Sequence, residues 1–451
     1  MRNSIPTLSL FTAAAALCCA HAAQAQSTLS GWAMMPANTF SDGPTSGQFA
    51  GAGAGGNALP LLNKQPVQGF SAVLAGPTAG SFLVMPDNGF GGQGNSADTL
   101  LRMYAVRPDF RTASGGSGTV SAAGFTTGVA QGAFDAASRI TLADPGNLLS
   151  IKTQADYSRY YNNAANPLVD PSIRSGRLLT GADFDIESVQ KDKSGNLWFG
   201  DEFGPYLVKT DAAGTVLRRE IALPGVFAPQ NEAVLNGSVA ANLGGSNGFE
   251  GMAINAAGDR LYTLLEGTVA GDAARTLRIN EFNVDTERYS GASWRYKLEN
   301  AGTAIGDMTA INDHEFLVIE RNGGTATNGV TPFKKIFRID IASLDANGNV
   351  AKTEIVDLMN IADPNDLNGD GSNVFTFPFV TIENLLILDP KTLLVINDNN
   401  YPGTGGRVAG VSDNTEFLRI SLVTAVPEPA SVTLLAAGLA LVAGAARRRK
   451  G

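Results

Sequence analysis

One pattern of apolar and polar positions recurs along the chain. In residues 184–205, FDIESVQKDKSGNLWFGDEFGP, an acidic turn leads into a strand, a Gly/Asn turn follows, and a second apolar strand ends on Asp201 and Glu202. The same order returns in residues 247–267, 304–322 and 380–400, and more faintly in residues 69–89. Apolar runs separated by such turns predict a β-hairpin in each copy. Recurrence on this scale is typical of a repeat architecture.

Each copy places polar residues at both ends of its hairpin. At the first equivalent position the faintest copy has Ser71 and the others have Glu187, Glu250, Asp307 and Glu383. The second strand of each copy ends on further polar groups, which are Asp201 and Glu202, Glu266, Glu320 and Arg321, Asn397 and Asp398, and Asp87 and Asn88. Because a hairpin returns to the edge at which it began, we expect each copy to bring these groups to one end of a sheet.

The copies predict an all-β fold. When small sheets are arranged radially, as in a β-propeller, their polar ends converge on a central channel. The 52 glycines and the low charged fraction of 17% also favour many short strands over helices. The gap between Ser71 and Glu187 is about twice the roughly 60-residue spacing of the later copies, which leaves room for one degenerate blade. We therefore expect six blades, with five or seven as alternatives.

Both ends of the chain have the features of export signals. Residues 1–25 combine Arg2, an apolar run and an Ala-Gln-Ala cleavage site, a pattern typical of a signal peptide. Residues 426–451 contain Pro-Glu-Pro, an apolar stretch and a basic end, which predict a tail-anchor helix. This tail resembles the PEP-CTERM sorting signal, which implies a transient stay in the inner membrane, processing by an exosortase-type enzyme, and an extracellular or cell-surface product. Residues 26–425 then form the propeller domain.

Composition narrows the chemistry. Removing both ends lowers Lys and Arg from 33 to 28 and Asp and Glu from 42 to 41, which leaves a net charge near −13. Nucleic-acid binding is disfavoured, because it needs a basic surface. Both cysteines lie within residues 1–25, and His314 is the one histidine after them. Thiolate sites and histidine triads are therefore excluded, and catalysis must use carboxylates, amides, arginines, hydroxyls or a metal held by oxygen.

Carboxylates that meet at one end of a sheet repel one another unless a cation or protons compensate them. Ca²⁺ prefers such oxygen ligands, and the predicted ligand set is Glu187, Glu250, Asp307, Glu383, Asn397 and Asp398. The alternatives are acid/base chemistry and acids that only cap their own turns. A second candidate calcium loop is DLNGDG, with Asp366, Asn368 and Asp370 at the ligand positions of an EF-hand. Phe377 stands where that motif has its glutamate, so a turn without metal is the alternative there.

Several segments identify a family. The motifs FDIESV, GDEFGPYL, NGFEGMAI and FPFVTIENLLIL resemble the bacterial phytase-like family, described as having esterase-like activity of phytase. The resemblance covers roughly residues 69–420 and implies a β-propeller, export, and hydrolysis of phosphate esters or other esters.

The leading hypothesis is therefore an exported, calcium-dependent hydrolase of small phosphate esters that works in an acidic central channel. The candidate catalytic residues at the rim are Glu202, Glu266, Glu320 and Arg321, and Arg321 is the candidate for stabilising developing negative charge. One alternative is a lactonase or carboxylesterase of propeller type. The other is a non-catalytic, calcium-stabilised propeller that binds a matrix or a surface.

Overall fold

The computed structural model describes residues 26–51, 58–156, 169–403 and 405–426. The expected signal peptide (1–25) and the apolar part of the expected tail (427–451) lie outside the described residues. Within the described part of the chain, no helix has the length and apolarity needed to cross a bilayer.

Strands dominate the described residues. They are β1 (Thr28–Met35), β2 (Phe40–Asp42), β3 (Lys64–Pro66), β4 (Phe70–Ala75), β5 (Phe82–Pro86), β6 (Arg102–Asp109), β7 (Thr119–Ala123), β8 (Ala130–Gln131), β9 (Arg139–Thr141), β10 (Ile186–Lys191), β11 (Leu197–Asp201), β12 (Tyr206–Thr210), β13 (Ile221–Ala222), β14 (Gly251–Ile254), β15 (Arg260–Leu264), β16 (Thr276–Asn283), β17 (Arg288–Lys297), β18 (Thr303–Ala310), β19 (Glu315–Asn322), β20 (Lys334–Leu344), β21 (Val350–Asp357), β22 (Ile361–Ala362), β23 (Val374–Phe375), β24 (Thr381–Asp389), β25 (Thr392–Asp398) and β26 (Thr415–Ser421). The helices are short: α1 (Pro171–Ser175), α2 (Glu232–Leu235) and the 3-10 turns Ala136–Ser138 and Gln154–Asp156.

The strands form antiparallel blades around one axis. Blade 1 is β4 to β7, blade 2 is β10 to β13, blade 3 is β14 to β17, and blade 4 is β18 to β21. Blade 5 joins β24, β25 and β26 to the N-terminal strand β1, which pairs with β26 from Thr28↔Ser421 to Met35↔Thr415. The two ends of the domain therefore share one sheet, in which residues 416–420 pair with the N-terminal strand and close the ring.

The expectation of six blades is wrong for the described residues, which form five. The innermost strands pack in the order β4, β10, β14, β18 and β24, and β24 packs against β4 again, so the ring is already closed. The segment that was expected to hold a degenerate blade supplies β8 and β9 instead, which pair with β7 and β6 at the outside of blade 1. The long gap in the repeat pattern is thus an elaboration of one blade.

Apolar side chains on both faces of each blade hold the ring together. Along β19, Phe316 and Val318 lie in the core between blades 3 and 4, whereas Leu317 and Ile319 lie in the core between blades 4 and 5. Because successive residues of a strand point to opposite faces, a blade between two neighbours needs a continuous apolar run. Burying each such side chain contributes about 1.5–3 kcal/mol. This explains runs such as FLVI and LLVI in the second strand of each copy.

Candidate active site

Bulges place the first set of site residues. The pairing register shifts between Ile186 and Ser188, between Ile382 and Asn384, and between Phe70 and Ala72. A bulge adds one residue and turns its side chain away from the alternation of the strand. The extra residues form the first ring, together with the residue just before β14; its members are Ser71, Glu187, Glu250, Gly306 and Glu383.

The sequence alignment misplaces Asp307 by one residue. In blade 4 the register shift lies between Ile305 and Asp307, so Gly306 holds the position of the glutamates. A Cβ atom on Gly306 would lie 2.0 Å from the carbonyl oxygen of Ile382, so that position admits only glycine. Asp307 accepts hydrogen bonds from the backbone N–H groups of Met308 (2.6 Å) and Leu385 (2.8 Å), and thereby ties blade 4 to blade 5. Its carboxylate is committed to this role and does not join the predicted ligand set.

The second ring lies at the ends of the returning strands. The members of this ring are Asp87, Glu202, Glu266, Arg321 and Asp398. Each of them comes directly after a residue whose side chain points into the blade. Because successive side chains of a strand point to opposite sides, only one residue of each adjacent pair can reach the axis. The structure therefore distinguishes residues that are adjacent in sequence and that a pattern of acids alone treats as equivalent.

Glu320 and Asn397 are the inward-pointing members of such pairs. The carboxylate of Glu320 is fully buried and accepts hydrogen bonds from Tyr296 (2.8 Å) and Thr303 (2.8 Å), while Lys352 lies 2.5 Å from it. The side chain of Asn397 accepts the N–H of Glu416 at 2.7 Å and donates to backbone carbonyls. Both side chains make their contacts inside their own blade, and these contacts do not support the predicted catalytic role of Glu320 or the predicted metal-binding role of Asn397.

Arg321 connects three blades at the axis. Its Nη2 atom lies 2.8 Å from Glu383, 3.3 Å from Glu250 and 3.4 Å from Glu266. Its Nε atom is buried without a hydrogen-bond partner among the described residues. Ser71 donates to Glu383 from blade 1 at 3.2 Å, and Asn247 donates to Glu266 at 3.0 Å. These contacts show that the two rings meet in one cluster.

A tighter group of acids lies on the blade 2 side of the cluster. Asp185, Glu187 and Glu202 each offer one carboxylate oxygen, and these oxygens lie within 4.8 Å of one another. Asn88 of blade 1 donates to Asp185 at 2.6 Å, and Ser246 donates to its second oxygen at 3.1 Å. Glu202 is 4% exposed, and its Oε1 atom has no hydrogen-bond partner in the part of the chain that the structure describes. The group thus holds an unsatisfied buried oxygen beside two further carboxylates.

Burial and mutual repulsion shift the pKa values of the cluster upward. Burial, followed by neighbouring carboxylates, raises the pKa well above its usual range in Asp87, Glu187, Glu202 and Glu250. Burial also raises the pKa of Glu383 to about 8 and the pKa values of Asp185 and Asp398 to about 6. Without a bound cation, the cluster therefore holds protons near neutral pH.

Lys334 is a further buried cation near the rings. It is fully buried on β20 opposite Arg321, and its amine donates to the backbone carbonyls of Asn322 and, at 3.1 Å, Val380. Burial, followed by repulsion from Arg321, lowers its pKa to about 7. Lys334 thus fixes the backbone where blades 4 and 5 approach the channel, and sequence patterns had not singled it out.

The DLNGDG loop lies apart from the rings, between β22 and β23. Asp366 accepts the N–H of Gly371 at 3.0 Å, while Asp370 accepts the N–H of Ser372 at 2.8 Å and the amide of Asn368 at 2.8 Å. Phe377, at the position of the missing glutamate, packs in the core between blades 4 and 5. These side chains satisfy their own turn, as Asp and Asn commonly do.

Sequence reasoning missed Asp185 as a ligand candidate and did not separate Asp87 from its neighbours. Asp185 stands two residues before Glu187, just outside β10, and the repeat alignment offers no acid at that position in the other copies. The signal for Asp87 was present, because it follows β5 as Glu202 follows β11. The alignment of the copies placed Asp87 at this strand end, but the predicted ligand set did not include it.

Comparisons with known proteins bear on the whole domain and on its tail. A family model described as "Phytase-like: Esterase-like activity of phytase" matches residues 65–401. A second model, the PEP-CTERM protein-sorting motif, matches residues 425–450. Both resemblances inferred from the sequence are thereby confirmed. No curated protein matches the chain.

Solved structures resemble the chain only distantly. The periplasmic gluconolactonase of Pseudomonas aeruginosa is 13% identical, with 89% of this chain and 100% of that chain covered and a TM-score of 0.33. A luciferin-regenerating enzyme is 10% identical over 88% and 99% of the two chains, with a TM-score of 0.34. The virginiamycin B lyase of Staphylococcus aureus is 10% identical over 79% and 96%, with a TM-score of 0.30. At these scores the likenesses carry no argument about activity.

Proposed function

Because the chain belongs to the phytase-like family, described by its esterase-like activity of phytase, we propose that it is an exported hydrolase of phosphate esters that uses calcium in its acidic channel. The sorting motif indicates export to the cell envelope or surface. A signal peptide at residues 1–25, transient anchoring of the tail in the inner membrane and removal of the tail by an exosortase-type enzyme are parts of the same proposal.

One observation carries the calcium hypothesis. The Oε1 atom of Glu202 is buried without a partner among the described residues, and carboxylate oxygens of Asp185 and Glu187 lie within 4.8 Å of one of its oxygens. Leaving a buried polar oxygen without a hydrogen-bond partner costs free energy that a ligand would recover. A site built only of oxygens suits a hard cation such as Ca²⁺. These three residues would hold the ion; Glu187 belongs to the ligand set that the sequence predicted, whereas Asp185 and Glu202 do not.

The excess of acidic residues in the two rings supports the binding of a cation during hydrolysis. The two rings hold seven carboxylates and, among the described residues, Arg321 is their one member with a positive charge. Ionised carboxylates of the two rings would repel the negative charge of a phosphate ester in the channel. A bound calcium ion would reverse the local charge and polarise a phosphoryl oxygen.

The protein's own groups would then position substrate and water. The free Nε donor of Arg321 suits an anionic oxygen of the substrate. Glu266 suits the role of proton acceptor from water, because its side chain is 16% exposed while Glu250 and Glu383 are 4% and 6% exposed. Asn247 holds one of its oxygens at 3.0 Å, which leaves its orientation fixed.

A substrate panel tests the proposal. We would measure phosphate release from phenyl phosphate, myo-inositol 1-phosphate and phytate, and acid release from phenyl acetate, each with calcium and with a chelator. We expect phosphate release that needs calcium and that falls by at least about tenfold in Glu202→Gln, which keeps the size of the side chain and removes its charge. Cleavage of phenyl acetate alone would favour a carboxylesterase or lactonase over a phosphate-ester hydrolase.

The matched control is Glu354→Gln, which changes a half-exposed glutamate that pairs with Lys335 on the outside of blade 4. It should leave the rate unchanged. Turnover that is equal with calcium and with chelator would contradict the calcium part of the proposal. Absence of turnover on every substrate, combined with a melting temperature raised by calcium, would favour a binding propeller.

A further inference from the structure

The chain leaves the propeller on the face opposite to the two rings of polar side chains. This face, here called the turn face, is formed by the turns between the first and second strands of each blade. The turns are residues 76–81, 192–196, 255–259, 311–314 and 390–391. Strand β26 begins at the channel end, where Glu416 donates its N–H to Asn397, and ends at Ser421, which pairs with Thr392 beside the last of these turns. The chain after β26 therefore emerges at the turn face.

The last described residues are fixed to this face. Leu422 donates its backbone N–H to the carbonyl of Lys391 at 2.8 Å, and Val426 donates to the carbonyl of Pro390 at 2.8 Å. The side chains of Leu422 and Val426 are buried in the core between blades 4 and 5. The sorting motif matches from residue 425. It therefore begins where the chain is still packed in the folded domain.

Chain length limits where the apolar part of the tail can begin. In the sequence, residues 427–430 separate Val426 from the apolar stretch that starts at Ser431. Four residues span at most about 14 Å. Along β24, Pro390 stands seven positions after Glu383 of the first ring, which corresponds to about 23 Å of strand. Because the linking residues are too short to return along a blade, the apolar stretch must begin on the side of the turn face.

We propose that a lipid membrane surface contacts the turn face while the tail is inserted, and that the two rings then lie on the side away from the bilayer. The inference rests on the proposed anchoring of the tail. The length of a blade, about 23 Å, separates the rings from the lipid surface. This distance exceeds the Debye length of about 8 Å, so charged lipids would neither repel an anionic substrate from the channel nor shift the charges within it. The channel is thus accessible before the tail is removed as well as after.

Fluorescence quenching by lipids with a nitroxide headgroup tests this orientation. Residues 26–451 contain no cysteine, so a single introduced cysteine can be labelled with bimane in protein that is reconstituted in vesicles. In blade 2, Ser194→Cys lies at the turn face, and Val239→Cys lies in the excursion between β13 and β14 at the channel end. In blade 5, Lys391→Cys and Val411→Cys form the equivalent pair. All four side chains are exposed.

We expect quenching to be stronger at the turn face in both blades. Because a strand length of about 20 Å separates the two positions of each pair, quenching at Ser194→Cys and Lys391→Cys should exceed quenching at their partners at least about threefold. The matched controls are the same four variants in residues 26–426, which retain the described domain and lack the tail. Their fluorescence should not change with the nitroxide lipids. Urea unfolding at the wild-type midpoint checks that each variant is folded.

Equal quenching at the two positions of a blade, or stronger quenching at the channel end, would overturn the proposed orientation. Flotation of the vesicles distinguishes this failure from a failure of the anchoring. If residues 26–451 do not float with the vesicles, the proposed anchoring fails and the orientation fails with it. If they float but show equal quenching, the orientation alone fails. Neither measurement depends on whether the protein hydrolyses phosphate esters.

Discussion

Raising the pH in the presence of a chelator should destabilise the protein. Burial raises the pKa of Asp185 and of Asp398 from 3.8 to about 6. Because the pKa is higher in the folded state, that state binds more protons than the unfolded chain between these values. The stabilisation from protonation is complete below about pH 4 and is lost as the pH rises through about 6. Glu383, with a pKa of about 8, extends the loss toward pH 8.

The effect is large against the total stability of a domain. A shift of roughly two units at about 1.4 kcal/mol per unit gives about 3 kcal/mol for Asp185 alone. Total stabilities are about 5–15 kcal/mol, so even part of this effect is measurable. Calcium bound to the ionised carboxylates should oppose the trend, since a ligand that binds only the folded state stabilises it.

Urea unfolding at about pH 5 and about pH 8, with chelator and with calcium, measures the effect. We expect the free energy of unfolding to fall with pH in chelator and to change much less in calcium. In chelator, the free energy of unfolding of Asp185→Asn should fall less steeply with pH, because this variant lacks one of the titrating groups. A free energy of unfolding in chelator that is constant or rises between these pH values would show that the folded state does not bind the extra protons.

Two further substitutions distinguish residues at the axis from residues inside the blades. Arg321→Met should destabilise the protein in chelator by about 3–5 kcal/mol at about pH 8, because it leaves three glutamates at the axis without their cation. The loss should be smaller at about pH 5, where these glutamates hold protons. Urea unfolding at both pH values measures the loss, and an equal loss at both would contradict the prediction. Glu320→Gln should destabilise the protein by about 1–3 kcal/mol, because Lys352, whose side chain is 11% exposed, loses one of its two carboxylate partners. Calcium affinity, measured by calorimetry, should stay within about twofold of wild type. Weaker calcium binding would support a place for Glu320 in the site.

The sequence predicts the hairpins and the edge to which their acids return. Glu187, Glu250 and Glu383 do meet Glu202 and Glu266 at one end of the ring. These placements follow from strand length and turn chemistry, which are local properties. The closure of the ring by the N-terminal strand was also predictable, because a repeat fold without it would leave an open edge.

The errors come from features that are not local. A bulge shifts the register by one residue, so Asp307 occupies the position that ties blades together while Gly306 takes the place of a glutamate. The pattern also treats Glu320 and Arg321 alike, although alternation sends one into the blade and the other to the axis. The blade count failed because β8 and β9 extend blade 1 at its outer edge, a pairing that spacing does not reveal.

The rate of phosphate release from phenyl phosphate as a function of free calcium tests the proposed calcium site most directly. We expect the rate to rise to saturation in the wild-type protein and the calcium midpoint to increase by at least about tenfold in Glu202→Gln. Phosphate release that is undiminished in chelator, or a midpoint that is identical in the two proteins, would contradict the assignment of Asp185, Glu187 and Glu202 as the calcium site of a phosphate-ester hydrolase.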